Sequence, residues 1–230
     1  MNVFRESTIS EPVSCPYLPE REFIEEYFFD ISISRQEFSQ LLAQGWRKFG
    51  CYFFRPACDS CRECIPVRIM PENFAPSKSQ RRVIAKNRNT EITVTESCYT
   101  EERFQLFKKF SEMRFNHRTR KDEYLLNFCI SPVSSFVMEY RAGNALVGTG
   151  YIDYASDALN SVYFAFDPDY HYLSPGIYSL ITEIRYAGRL GLKYYYPGYY
   201  VKGNSSMEYK LRFTPSQVYD WEGNVWKNHL

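Results

Sequence analysis

Four cysteines carry the first chemical signal. Cys58, Cys61 and Cys64 form a C-x2-C-x2-C run, and Cys15 stands upstream in C-P-Y-L. Two-residue spacing lets successive sulfurs turn toward one centre, and four thiolates complete a tetrahedral zinc site or hold an iron–sulfur cluster. Buried thiols that bind nothing explain the pattern equally well, since all four must converge before they bind a metal. A second group is basic: S-K-S-Q-R-R at 77–82 continues to Lys86 and Arg88, with no acid between Glu72 and Glu91. Clustered Lys and Arg beside small hydroxyl donors suit phosphates. A charge run is by default a solvated helix face; the lack of acids here points instead to nucleic acid. A third group is Arg114, His117, Arg118, Arg120 and Lys121. His117, one of three histidines, has the side-chain type that moves protons near neutrality. A surface or phosphate-contacting histidine is the plainer alternative. The fourth is M-E-Y-K-L-R-F at 207–213, where Met207, Tyr209, Leu211 and Phe213 alternate with Glu208, Lys210 and Arg212. The alternation predicts an amphipathic strand.

These groups need elements to position them. Ser34 and Glu37 form a capping box that opens a helix with Phe38, Leu41 and Leu42 on its apolar face, and Gly45 stops it. Residues 51–55 and 65–70 read as strands. Thr100, followed by Glu101 and Glu102, caps a helix whose stripe of Phe104, Phe107, Phe110 and Met113 predicts core packing. Gly143–Asn144 separates 136–142 from 145–153 as a hairpin, and 158–166 is a third strand. A helix at about 176–190 follows, with Ser174 as N-cap and Pro175 in its first turn. Gly191 ends it, and 192–201 starts the next strand. The expected class is α+β. A cysteine-bearing N-terminal region, 1–95, packs on a C-terminal domain, 96–230, whose β-β-β-α-β order is that of a GNAT-like acyltransferase with a mixed sheet. Such an order argues fold and little about function.

Bulk properties set limits. The chain has 230 residues and a formal net charge of +1, with 20 Tyr and 18 Phe. A protein coated in positive charge is excluded, though a local basic patch is not. Arg5, Glu6 and Glu11 sit where a secretory leader would be apolar. No run approaches the roughly 20 apolar residues of a membrane span. The expectation is a cytosolic protein without a membrane partner, whose seven cysteines are thiols or metal ligands rather than disulfides. The stretch before the 176–190 helix is Y-L-S-P-G and lacks the glycine-rich loop that cradles the pyrophosphate of coenzyme A. A different activated acyl group is therefore expected, although the helix N-terminus can still meet a phosphate.

Together the motifs resemble the aminoacyl-tRNA–protein transferases of the N-degron pathway, and among them the bacterial aspartate/glutamate leucyltransferases, relatives of the eukaryotic arginyltransferases. The matching blocks run in order: C-P-Y-L-P-E-R (15–21), C-D-S-C-R-E-C-I-P-V-R-I (58–69), P-S-K-S-Q-R-R (76–82), Arg114-x-x-His117, Y-F-A-F-D-P (163–168), G-Y-Y-V (198–201) and M-E-Y-K-L-R-F (207–213). The resemblance implies transfer of leucine from Leu-tRNA to a protein beginning with Asp or Glu, by attack of the protein's α-amine on the aminoacyl ester. That transfer requires no cofactor. The resemblance places His117, Tyr209 and Lys210 nearest the reacting groups. Lys78, Gln80, Arg81 and Arg82 become binding residues for tRNA or acceptor. Arg114 falls near the acidic acceptor, and Tyr163, Tyr199, Met207 and Arg212 line the aminoacyl end. Cys15, Cys58, Cys61 and Cys64 become the set for a zinc or iron–sulfur centre. Two departures from the family pattern, Ser174-Pro175-Gly176 and the V-K-G-N-S-S stretch at 201–206, lie beside the implied pocket. They keep arginine as the alternative donor. A non-catalytic RNA-binding module is the rival from another class.

Overall fold

The structure, a computed structural model, describes residues 6–229. The N-terminal part holds β1 (Thr8–Ile9), β2 (Val13–Ser14), β3 (Glu22–Phe23), β4 (Glu25–Phe29), α1 (Arg35–Ala43), β5 (Arg47–Phe49), β6 (Tyr52–Pro56), β7 (Cys64–Ile69), α2 (Lys78–Lys86) and β8 (Thr90–Glu96). There follow α3 (Glu101–Phe115), α4 (Lys121–Tyr124), β9 (Ser135–Ala142), β10 (Ala145–Tyr154), β11 (Ala158–Phe166), α5 (Pro175–Arg189), β12 (Tyr194–Val201), α6 (Ser205–Glu208), β13 (Ser216–Asp220) and β14 (Val225–His229).

The strands make an eight-stranded sheet, β14-β13-β7-β12-β11-β10-β9-β8, a four-stranded sheet, β1-β4-β6-β5, and the β2-β3 pair. The large sheet is mixed: β11 and β12 run parallel and the other neighbours antiparallel. The antiparallel β9-β10-β11 run, a crossover on α5 and the parallel strand β12 give the expected α+β, GNAT-like order. Two strands from the first 95 residues, β7 and β8, lie in this sheet.

Both faces of the middle of the sheet are covered, so β9, β10 and β11 alternate between two cores rather than between core and water, while the edge strands β8 and β14 are largely exposed. Met138 and Ile152 face α5, which contributes Leu180, Ile181 and Ile184. Val137 and Tyr151 face α3, which contributes Phe104, Phe107 and Phe110. Met113 departs from the expected stripe and is 63% exposed; each step of three falls about 60° short of a full turn, so three steps from Phe104 bring Met113 to the opposite face of α3. A third core joins the two regions. Phe28, Phe38, Trp46 and Phe53 of the small sheet and α1 pack with Ala155, Ala158 and Tyr196 of the large one. The Lys48–Asp153 ion pair, 3.1 Å long and 2% exposed on each side chain, lies between the two regions.

Local signals explain the helix ends. Ser34 Oγ accepts the Glu37 amide N–H, and a Glu37 carboxylate oxygen accepts the Ser34 amide N–H. Gly45 takes φ +83°, the left-handed turn that ends α1. At α5 the expected Ser174 side-chain cap is absent. Ser174 does occupy the N-cap position, but its backbone is left-handed, φ 56°, and its side chain makes no capping hydrogen bond, while Pro175 does open the first turn.

Candidate active site

The parallel strands β11 and β12 pair only over Ala158–Asn160 and Tyr194–Tyr196. Beyond that point β11 stays with β10, and β12 with β7, so the strands part like a fork. Arg47, from β5, fills the fork. Its guanidinium donates to Asn160 Oδ1 and the Ser161 carbonyl on β11 and approaches the Tyr196 carbonyl on β12. Lys210 enters beside it and donates from Nζ to the Tyr199 carbonyl, 2.9 Å, with Met207 Sδ at 3.6 Å. Gly198 makes the room. A Cβ there would sit 3.2 Å from Lys210 Nζ and 3.4 Å from an Arg47 nitrogen, and its φ of +101° suits glycine alone. Burial, with the Arg47 charge behind it, lowers the Lys210 ammonium to about 7. Half of such a group is a free amine near neutrality.

The Met207–Phe213 block is not the expected strand. Asn204 Oδ1 accepts the Ser206 amide N–H at 3.1 Å and opens the single turn α6, which continues as a 3-10 turn over Tyr209–Arg212. Met207, Lys210 and Phe213 turn inward at a period of three, which suits the 3-10 turn and not a strand, while Tyr209 packs on the α5 core. This turn delivers Lys210 to the fork.

Around the fork stand several of the expected residues. Tyr199 packs with Cys64 and Val201, and Tyr17, Leu18 and Met207 close over them. Tyr163 and Tyr209 approach from opposite faces of the sheet. Burial raises both phenols to about 12, and the Arg114 cation opposes the rise in each. Arg114 reaches over from α3 and donates to Ser206 Oγ at 2.6 Å. The structure thus brings Arg114, Tyr163, Tyr199, Met207, Tyr209 and Lys210 to one place. His117 stands elsewhere: it is exposed, with Nε2 3.2 Å from Glu123. Lys78, Arg81 and Arg82 are exposed on α2. Gln80 is 5% exposed and fully engaged. Its Oε1 accepts the Ser77 amide N–H, and its Nε2 donates to the Arg212 carbonyl at 3.1 Å. It ties the basic helix to the Lys210 turn, while the Arg212 side chain points outward.

Sequence reasoning missed Arg47 and Tyr17. The available signal was a pair of cations, Arg47-Lys48, between Trp46 and Phe49, where an apolar strand gains nothing from charge. Tyr17 lies inside a quoted motif and is raised to about 12, chiefly by burial. Asn204 Nδ2 donates to its carbonyl, which holds the C-P-Y-L loop against the turn into α6.

The four cysteines share this neighbourhood. Burial and then the charges of Cys15, Cys58 and Cys61 push the Cys64 thiol up to about 12. Cys15 and Cys58 sulfurs each accept a backbone N–H, from Leu18 and Ile24, at 3.4 Å. In kind this is the donor set of a soft metal. Among the described residues, no three His, Cys, Asp or Glu side chains are drawn into metal-ligating geometry.

A helix-crossed mixed sheet, forked between its parallel strands and lined there by buried cations, has the GNAT-like order of elements. Residues 13–82 match the N-terminal region of arginine-tRNA-protein transferases, and residues 102–220 match the C-terminal region. The chain belongs to the arginine-tRNA-protein transferase family. It is 32% identical to the aspartate/glutamate leucyltransferase of Campylobacter jejuni over 94% of this chain and 93% of that one. It is 32% identical to that of Helicobacter hepaticus, over 91% and 90% of the two chains. The corresponding Nitrobacter winogradskyi protein is 33% identical over 91% and 87%. No helix among the described residues is long and apolar enough to cross a membrane.

Proposed function

We propose that the chain transfers leucine from Leu-tRNA to the N-terminal Asp or Glu of acceptor proteins. The observation that carries this reading is the fork, where Lys210 and Arg47 sit beside the tyrosines Tyr163, Tyr199 and Tyr209. The acceptor's α-amine adds to the ester carbonyl carbon, the C–N bond forms, and the ribose oxygen leaves with a proton. An ester is already activated and the amine titrates near neutrality, so positioning supplies most of the acceleration. The free-amine share of Lys210 takes the proton that the attacking nitrogen sheds. Arg47 and Arg114 supply the positive field that suits an acidic acceptor and the tRNA end. Lys78, Arg81 and Arg82 on α2 meet tRNA phosphates. Transfer itself requires no cofactor. A zinc ion or iron–sulfur cluster on Cys15, Cys58, Cys61 and Cys64 would fix the loop that carries Tyr17. The setting for this reaction is the cytoplasm, where charged tRNA is found. The test is transfer of labelled amino acid from leucyl- and arginyl-tRNA, each supplied separately, to a peptide beginning with Asp. Leucine transfer is expected; arginine transfer alone would replace the donor, and transfer of neither would sink the reading.

A further inference from the structure

One face of the small sheet is a row of rings that starts at the fork. In the β4–β6 register Tyr27 faces Phe54, and Phe29 faces Tyr52; in the β5–β6 register Arg47 faces Phe54, and Phe49 faces Tyr52. These side chains therefore share one face, and Phe28 and Phe53 point to the core on the other. Ring centroids step from Tyr163 to Phe49 in 6.4 Å, to Phe54 in 5.7 Å, to Tyr52 in 5.7 Å and to Phe29 in 5.1 Å. Phe29, at the far end, is 70% exposed. Tyr27 and Tyr52 beside it are half-buried, as are Phe49, Phe54 and Tyr163, the last three packed on the buried cores, so the row opens to solvent toward its Phe29 end. A partly open run of rings of this kind suits an interaction surface.

The charge along the row selects its occupant. Glu25 is on the same face and accepts a hydrogen bond from the Tyr52 hydroxyl. Exposed Glu20 and Glu22, with the exposed Arg21 between them, lie in the chain leading into β4 and leave it net acidic. An acidic border repels a phosphate backbone, and the exposed cations of α2 lie on a separate element. A polypeptide carrying apolar and basic side chains suits both the rings and the acids.

We propose that this row binds the acceptor polypeptide downstream of its N-terminal acid, and so sets a preference for apolar and basic residues there. The inference rests on the transfer reaction proposed above. It explains why the rings begin at Tyr163 and Arg47, where the acceptor's first residue reacts. Steady-state transfer is compared for three acceptors beginning with Asp: a dipeptide, a ten-residue peptide with Phe, Leu and Lys after the first residue, and a ten-residue peptide with Ser and Glu there. Wild type is expected to show a KM for the apolar-basic peptide about fivefold lower than for the Ser/Glu peptide. In the Tyr27→Ser, Phe29→Ser double variant the two KM values converge, while dipeptide kcat/KM and tRNA affinity stay at wild-type values. A preference that persists in the variant overturns the proposal. So does lost tRNA affinity, which would assign the row to RNA. Absence of transfer to all three acceptors by wild type refutes the transfer reaction itself, and the row with it.

Discussion

Replacing Glu183 with Gln should change how stability depends on pH. Glu183 lies on α5, 0% exposed, facing the large sheet. Its Oε2 accepts the Tyr195 hydroxyl at 2.7 Å, and its Oε1 has no hydrogen-bond partner among the described residues. Burial raises the carboxyl from 4.5 to about 7. Below about 4.5 the proton is held in both the folded and the unfolded chain; above about 7 it is lost from both. Between these limits the folded chain holds more protons, so stability falls as pH rises, and the penalty is complete above about 7. The rise from 4.5 to about 7, at about 1.4 kcal/mol for each tenfold change in proton affinity, gives roughly 3–4 kcal/mol. Gln has no such proton, keeps an acceptor for Tyr195, and leaves any steric cost constant with pH. Urea unfolding of wild type and Glu183→Gln at acid and at mildly alkaline pH measures the difference. The variant should gain on wild type by up to about 3–4 kcal/mol across this window. Parallel stability curves over that range would falsify the argument and mean that the carboxyl is hydrated in solution.

Three further changes separate chemistry from scaffold. Lys210→Met should lower kcat for leucine transfer by about a hundredfold with tRNA affinity kept, and it should remove the part of the wild-type rise in rate centred at about 7, leaving the rise that belongs to the acceptor α-amine at roughly 7.7–8.0; a variant that keeps the full pH profile removes Lys210 from proton transfer. The triple change of Lys78, Arg81 and Arg82 to Ala should flatten the slope of log Kd for tRNA against log salt by roughly 0.7–0.9 for each phosphate no longer neutralised; an unchanged slope places the RNA elsewhere. Gln80→Ala should cost roughly 1–3 kcal/mol of stability, since it removes a helix cap and leaves the Arg212 carbonyl unpaired. The salt slope should not move, and a moved slope would make Gln80 a phosphate ligand.

Much of the scaffold could be read because its signals are local. The Ser34–Glu37 box and the Gly143–Asn144 hairpin each depend on a few adjacent residues, and both are present. The Met207 block misled because seven residues are too few to separate a period of two from one of three when both begin and end on apolar residues. Ser174 stands at the N-cap as its type suggested, but its left-handed backbone goes with a side chain that makes no capping bond. Arg47 was out of reach for another reason. Its partners, Asn160 and Ser161, are 113 and 114 residues away, and only the strand fork makes a buried guanidinium tolerable there. Gln80 shows the reverse case, a polar residue in a basic run whose amide is spent inside the fold.

The path of β7 has a consequence for the chain as it is made. Val67 pairs with Gly198 on one side and Val218 on the other. A ribosome adding roughly 5–20 residues per second needs on the order of ten seconds to supply the first of those neighbours. Until then β7 has no strand to join, and Cys58, Cys61 and Cys64, which lead into it, stay open to oxidants and to other thiols. The large sheet is closed only by the last strands synthesised, a long-range pairing of the kind that slows folding. Premature termination before β12 would therefore release a chain with an unpaired apolar strand and three unshielded thiols, a product suited to rapid aggregation or proteolysis.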